Sequence, residues 1–338
     1  MSNEHPEKAG EHAAWPPLLA VELALNLSIS SVVGGGLCGR VLEEATTGAL
    51  IGAISSNIRW ASELAGPDVA NRCHWTLYSK SGDDLSSETW TGADFSLILR
   101  LSPDHFRVAT FQAKRESNKR GGFSLIQISP ARNDFRPEPQ LIRMLRHSGN
   151  YGNASPSEFI AGASWVHFLI YRTGLMSHVS LADMAETCQA VCDFDEKQKI
   201  TERIFHGRSG GLFTANEIAN KWREFEGRTY THRSLATLLS LFERGLRTPI
   251  GVEARGWRNL EGIDGMDGAK AFVEATAPHS LIVEVASGPS YSPIISMSES
   301  IKVLTGGITV HEAIAEIKQS LEAAAARPTE AKGPSGVP

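Results

Sequence analysis

A carboxylate, an amide and an ammonium stand at a workable spacing in the stretch ETWTGADFSLILRLSPDHFRVATFQAK, from Glu88 to Lys114. Asp94 opens one apolar run, and Gln112 and Lys114 close the next. Side chains two apart in a strand share a face, so Gln112 and Lys114 project together while Phe111 and Ala113 point the other way. The segment SPDHF between the runs has turn composition. It makes Phe95 to Arg100 and Phe106 to Phe111 a hairpin and brings Asp94 to the pair at one edge of a sheet. A chain extended through Trp90 would put Glu88 on the face of Asp94. Such a group suits phosphodiester hydrolysis. A hard cation such as Mg²⁺ takes oxygen ligands and keeps waters, one of which can attack, while a lysine offsets the charge that develops on oxygen.

These residues resemble the PD-(D/E)XK (restriction-endonuclease-like) nuclease superfamily, in the QxK variant where glutamine replaces the second acid. Gly92-Ala93-Asp94 stands where that family has Pro-Asp, and the resemblance covers residues 37 to 173. It implies an α/β fold with a restriction-endonuclease-like αβββαβ core, a mixed sheet flanked by helices. It implies Asp94 as principal metal ligand, Gln112 as a neutral second ligand and Lys114 as the water-orienting or charge-stabilising group, with Glu43 and Glu88 as outer candidates. The cofactor would be Mg²⁺, with Mn²⁺ as a substitute. The activity would be a DNA endonuclease of prokaryotic restriction or anti-phage defence, acting on double-stranded DNA beside other proteins of such a system.

The elements that must position these groups can be read from pattern. Leu50, Ile54, Ile58 and Ala61 form one stripe of a helix over residues 40 to 64. Carrying the stripe back puts Glu43 near its centre and Glu44 at its border. His74 to Ser79 alternates as a first strand, QLIRMLRHSG reads as a helix ending at glycine, and WVHFLIY (Trp165 to Tyr171) reads as a strand buried on both faces. Helix, three strands, helix and strand follow in the order of the resembled core.

Net charge is -5, yet Arg100 to Arg146 holds ten Lys or Arg against four Asp or Glu, a local +6 that leaves -11 for the remainder. Such a strip is the footprint of a polyanion partner, with Arg115, Lys119, Arg120, Gln140 and Arg143 as candidate nucleic-acid contacts, Gln140 and Arg143 facing either the site or the DNA backbone. Two other functions compete. The first is a non-catalytic nucleic-acid-binding protein that keeps the fold and the strip. The second is a nucleotide-cofactor protein using Gly34-Gly35-Gly36-Leu37-Cys38-Gly39, a literal GxGxxG after a β-branched run. The acid-ended strand that this fingerprint needs is replaced by a helical pattern over residues 54 to 66.

The chain of 338 residues has room for more than one domain. The expected division is an N-terminal extension (1–36), the core (37–173), a mainly helical α+β region (174–326) and a disordered tail (327–338). Within 174–326, Ala215 to Phe225 and His232 to Glu243 around GRTYT suggest a winged helix with Arg233, Arg244, Arg247 and Arg255 near DNA. Four cysteines without a CxxC, no targeting or membrane segment and a polar N-terminus point to a cytoplasmic protein. A homo-oligomer is compatible with the sequence.

Overall fold

The structure is a computed structural model that describes residues 17–65, 73–75, 92–116, 123, 139–147, 156–209, 215–226, 235–262, 268–269 and 280–284. It is an α/β protein built on a mixed, open sheet flanked by helices. Seven strands run in the order β1 (Cys73–Trp75), β8 (Ser280–Glu284), β2 (Phe95–Ser102), β3 (His105–Arg115), β4 (Val166–Arg172), β5 (Leu175–Ser180), β6 (Ala236–Thr237), and the short β7 (Arg258–Glu261) pairs with the start of β3. The β2–β3 hairpin is antiparallel with Phe95 opposite Phe111, whereas β3 and β4 are parallel with Gln112 beside Phe168.

Each face of the sheet carries its own layer. On one, α1 (Pro17–Gly34), α2 (Glu43–Ala65) and α7 (Leu238–Arg247) bury Leu25, Leu50, Ile54, Ile58, Leu241 and Phe242 against Phe95, Phe111, Ala113 and Tyr171. On the other, α3 (Gln140–His147), α4 (Pro156–Gly162), α5 (Ala185–Ser209) and α6 (Ala215–Glu226) bury Leu141, Ile160, Cys188 and Trp222 against Phe168 and Ile170. Two covered faces explain why Val166 to Tyr171 is an unbroken apolar run apart from His167.

Several expectations change here. The N-terminal segment is no extension, because Val21, Ala24, Leu25 and Ile29 of α1 are core residues. Its β-branched end is helical, since apolar burial on one side outweighs strand propensity. Gly36, at φ 70°, closes α1: its N–H donates to Val33 O and the Leu37 N–H to Val32 O, the paired bonds of a Schellman cap. The glycine run therefore links two helices, and the strand required before a dinucleotide-binding turn is α1.

The expected boundary at 173/174 falls inside the β4–β5 hairpin, and Met1–Tyr291 forms one compact unit. The region after residue 173 gives β5, β6, β7 and β8 to the same sheet. Pattern alone makes it mainly helical because strands as short as β6 and β7 carry little periodicity, whereas Leu281 to Val285 reads as a strand and is β8. The winged-helix reading also fails on placement. Trp222 of α6 packs in the layer with α5, whereas Leu238 and Leu241 of α7 pack in the layer with α1, across the sheet. Arg247 is not presented to a partner, because its Nε and Nη2 donate to Glu22 Oε1 and Oε2 at 2.6 and 2.9 Å. Arg233 and the tail expected over 327–338 lie outside the described residues. Among the described residues, no helix is long and apolar enough to cross a membrane.

Candidate functional site

The carboxyl ends of β3 and β4 and the start of β2 bring the sequence-chosen groups together. Parity places Phe111 and Ala113 in the α1–α2 layer, so Gln112 and Lys114 must face α3. Both are buried, at 1% and 2% exposure, on a central strand rather than at the expected edge. Asp94 precedes β2, and its own N–H donates to Phe111 O at 2.8 Å, which extends the hairpin ladder by one bond. Its Oδ2 accepts the Ala113 N–H at 2.6 Å and Gln112 Nε2 at 2.8 Å. Gln112 Nε2 also donates to Ala113 O at 3.1 Å.

Lys114 Nζ donates to Gln140 Oε1 at 2.7 Å and lies 3.9 Å from Glu43 Oε2. Glu43 Oε1 accepts the Arg115 N–H at 2.8 Å. The phasing of α2 thus puts Glu43 beside the lysine: Glu43 is partly buried, Glu44 is exposed, and Leu50, Ile54, Ile58 and Ala61 are buried as the stripe requires. Glu43 begins α2, where the helix N-terminus also favours a carboxylate. One turn on, Thr47 Oγ1 and Tyr171 OH are 2.8 Å apart in the buried seam between α2 and β4. Burial, then the neighbouring Asp94 and Glu43 charges, drives the Tyr171 phenol far above its usual range, so it acts as a neutral hydrogen-bonding group.

Gln140 and Arg143 are not surface contacts for a polyanion. They are 2% and 6% exposed, and Gln140 holds the lysine instead. Its apolar neighbours Leu141, Met144 and Leu145 draw α3 onto the sheet and carry Gln140 inward with them. The basic strip is thinner than its sequence suggests, since Arg107 and Lys114 are buried with Arg143. Arg115 is exposed at the end of β3. Glu88, Lys119 and Arg120 lie outside the described residues.

Sequence reasoning missed the reason for Gly92. Its φ is 73°, and a Cβ there would stand 2.6 Å from Gln140 O and 3.2 Å from Arg143 Cβ. Glycine lets the segment before Asp94 press against α3, which seats Gln140 over Lys114. A glycine two residues before the acid was the visible signal.

Which of these groups would hold a cation is decided by their oxygen atoms. Among the described residues, no three His, Cys, Asp or Glu side chains converge. One carboxylate, one amide and one backbone carbonyl do: Asp94, Gln112 and Ala113 O. Gln112 turns Nε2 toward the other two, and its Oε1, buried on the far side of the amide, accepts no hydrogen bond among the described residues. This all-oxygen set fits Mg²⁺ or Mn²⁺ better than a thiophilic ion. Glu43, expected as a third ligand, is engaged with Lys114 and the Arg115 amide. No family model, curated protein or solved structure matches this chain.

Proposed function

We propose that this protein is a metal-dependent nuclease that hydrolyses phosphodiester bonds, with Asp94, Gln112 and Lys114 at its centre. The observation that carries the reading is their convergence. An acid from the start of β2 and an amide from the end of β3 meet beside the Ala113 carbonyl, and a buried lysine two residues on shares the amide's face. The arrangement of elements lends support. Helix α2, then β1, β2, β3, α3 and β4 follow the αβββαβ order of the PD-(D/E)XK nucleases, with β2–β3 antiparallel and β3–β4 parallel. One departure is that β8 lies between β1 and β2.

Asp94, Gln112 Oε1 and Ala113 O would hold Mg²⁺. When bound, the ion supplies a Lewis acid and a water of lowered pKa. The chain's own groups do the rest. The Ala113 N–H fixes the Asp94 carboxylate, and Gln140 with Glu43 fixes the Lys114 ammonium. Lys114 then offers positive charge where an attacking hydroxide and a crowded phosphate gather negative charge, inside a site that shields it from bulk water. Glutamine in place of a second acid leaves the oxygen set with one negative charge, so the phosphate itself would complete the neutralisation. The resemblance extends this reading to double-stranded DNA and to restriction or defence against phage.

Incubation of the purified protein with plasmid DNA in Mg²⁺, Mn²⁺ or EDTA tests the proposal. Cleavage should require the cation and vanish in Asp94→Ala. Salt-sensitive binding with no cleavage under any of these conditions would instead favour the non-catalytic nucleic-acid-binding protein.

A further inference from the structure

Gln112 has a peculiarity that its role as a ligand does not explain. Its terminal nitrogen lies 2.8 Å from Asp94 Oδ2 and 3.1 Å from Ala113 O. An ionised carboxylate and a carbonyl are both acceptors, so the amide must turn its NH₂ toward them and its oxygen away. That oxygen is buried and accepts no hydrogen bond among the described residues. A donor therefore stands where a cation ligand should.

The spacing shows what a half-turn of the amide would do. Octahedral Mg²⁺ holds oxygens at about 2.0 to 2.1 Å, so adjacent ligands are about 2.9 Å apart. The terminal atom of Gln112 already keeps distances of 2.8 and 3.1 Å to its two neighbours. Rotation about the last side-chain bond alone would put Oε1 in that place and make an oxygen-lined cation face, with no movement of either strand. One amide atom faces the unpartnered spot in either orientation. The balance is thus struck on the Asp94 side, where two hydrogen bonds are exchanged for cation–oxygen bonds.

We infer that the Gln112 side-chain amide is a latch: in the metal-free protein its NH₂ bridges Asp94 and the Ala113 carbonyl, and divalent-cation entry requires the amide to flip. This rests on the nuclease reading for the identity of the ion, but it adds a specific property. The latch keeps the metal-free site closed by hydrogen bonds instead of leaving two carboxylates to repel each other. Cation affinity is lowered by the cost of breaking those bonds. Gln112→Glu, which has no donor to bridge with, removes the latch and adds a charge.

The test needs no nucleic acid and no turnover. The Gln112 side-chain NH₂ signals are identified in ¹⁵N-glutamine-labelled protein by their loss in Gln112→Glu, while MgCl₂ binding is measured by calorimetry. Mg²⁺ should shift that NH₂ pair and speed its exchange with solvent at least tenfold, since both hydrogen bonds are released. Gln112→Glu should bind Mg²⁺ at least tenfold tighter than the native chain, and Gln112→Met should bind it at least tenfold more weakly. Mg²⁺ binding with the NH₂ pair unmoved, or with no gain in Gln112→Glu, would overturn the latch and leave the nuclease reading standing. Absence of Mg²⁺ and Mn²⁺ binding in the native chain would overturn both.

Discussion

Two buried polar clusters hang from the same two central strands, and they are finished differently. Near the start of β3, Arg107 is 1% exposed, and its guanidinium donates to Asn259 Oδ1 and to the carbonyls of Gly245, Thr248, Pro249 and Val252. Beside it in the same layer, His167 Nε2 is 2.8 Å from Gly256 O, His178 Nδ1 is 3.2 Å from His167 Nδ1, and Arg244 Nη2 is 3.4 Å from His178 Nε2. The carbonyl fixes every proton in that chain: His167 donates through Nε2 and accepts through Nδ1, so His178 donates through Nδ1 and accepts from Arg244. At the other end of β3, side chains and backbone groups of β3 share the bonds, and among the described residues the Gln112 Oε1 acceptor has none. A buried network that closes on itself serves the fold, whereas one left open holds an oxygen that can find a partner only when the amide turns.

The sharpest way to break this contrast is to compare equivalent losses. Arg107→Met should destabilise the protein by about 3 to 5 kcal/mol, because it takes the guanidinium from the Gly245 and Thr248 carbonyls at the end of α7, while Pro249 O and Val252 O keep the Val252 N–H and Asn259 Nδ2. Gln112→Met removes the acceptor that has no partner together with the two Nε2 hydrogen bonds, and because Asp94 Oδ2 keeps the Ala113 N–H it should cost less, about 1 to 2 kcal/mol. Urea unfolding monitored by circular dichroism measures both. Equal losses would mean that the two clusters are alike and that the orphaned oxygen marks nothing.

Next in size are the effects on cleavage. Asp94→Ala and Lys114→Ala should each lower the rate by on the order of 10² or more, since each removes a group that acts on developing charge. Both variants should retain the native far-ultraviolet spectrum. A plasmid assay on purified protein checks this, and full activity in either variant would end the assignment.

The same contrast explains what was readable in the sequence. Site residues on strands were legible because parity is rigid: once Phe111 and Ala113 are core, Gln112 and Lys114 can go only one way. Glu43 was legible because helix phase is nearly as rigid. Gln140 and Arg143 were left between the site and the DNA backbone because charge and polarity suggest exposure, and only the packing of α3 under the segment at Gly92 turns them inward. Arg107, counted only in the charge of the basic strip, is buried for a reason no local pattern announces, since its acceptors lie in residues 245 to 259. The sheet order was beyond reach, because β8 is a five-residue strand that inserts beside β2 from far along the chain.

A third prediction uses the histidine pair. Burial pushes His167 down to about 4, and burial followed by the His167 charge pushes His178 down to about 2. The unfolded chain takes up these protons near pH 6.5, whereas the folded chain refuses them until far lower pH. Stability should therefore hold above pH 6.5 and fall as pH drops below it, by about 1.4 kcal/mol per pH unit per histidine, with the His167 share levelling off near its folded value. Protonation would set N–H against N–H beside Arg244, with Asp183 as the compensating carboxylate. His178→Gln cannot titrate and should halve the slope between pH 6 and 4. Urea midpoints across that range decide it, and an unchanged slope would place the acid sensitivity elsewhere.

The smallest expected effect separates two adjacent glutamates. Glu43 is 30% exposed and 3.9 Å from the Lys114 ammonium, so solvent screens part of their attraction and the pair adds little to stability. Its charge matters more for where the lysine points. Glu43→Gln keeps an oxygen for the Arg115 N–H but loses the charge that, with Gln140, holds Lys114 in place. Cleavage should slow by roughly tenfold, about 1.4 kcal/mol in the barrier, with stability changed by less than about 0.5 kcal/mol. Glu44 is one residue on, about 100° around the helix, and exposed. Glu44→Gln should alter neither rate nor stability measurably. Were Glu44→Gln the slow variant and Glu43→Gln the silent one, α2 would have to be rotated by most of a quarter turn or more, which would pull Leu50, Ile54 and Ile58 off the sheet. Parallel cleavage assays on the two variants therefore test the chemistry of the site and the packing of the helix that supplies it.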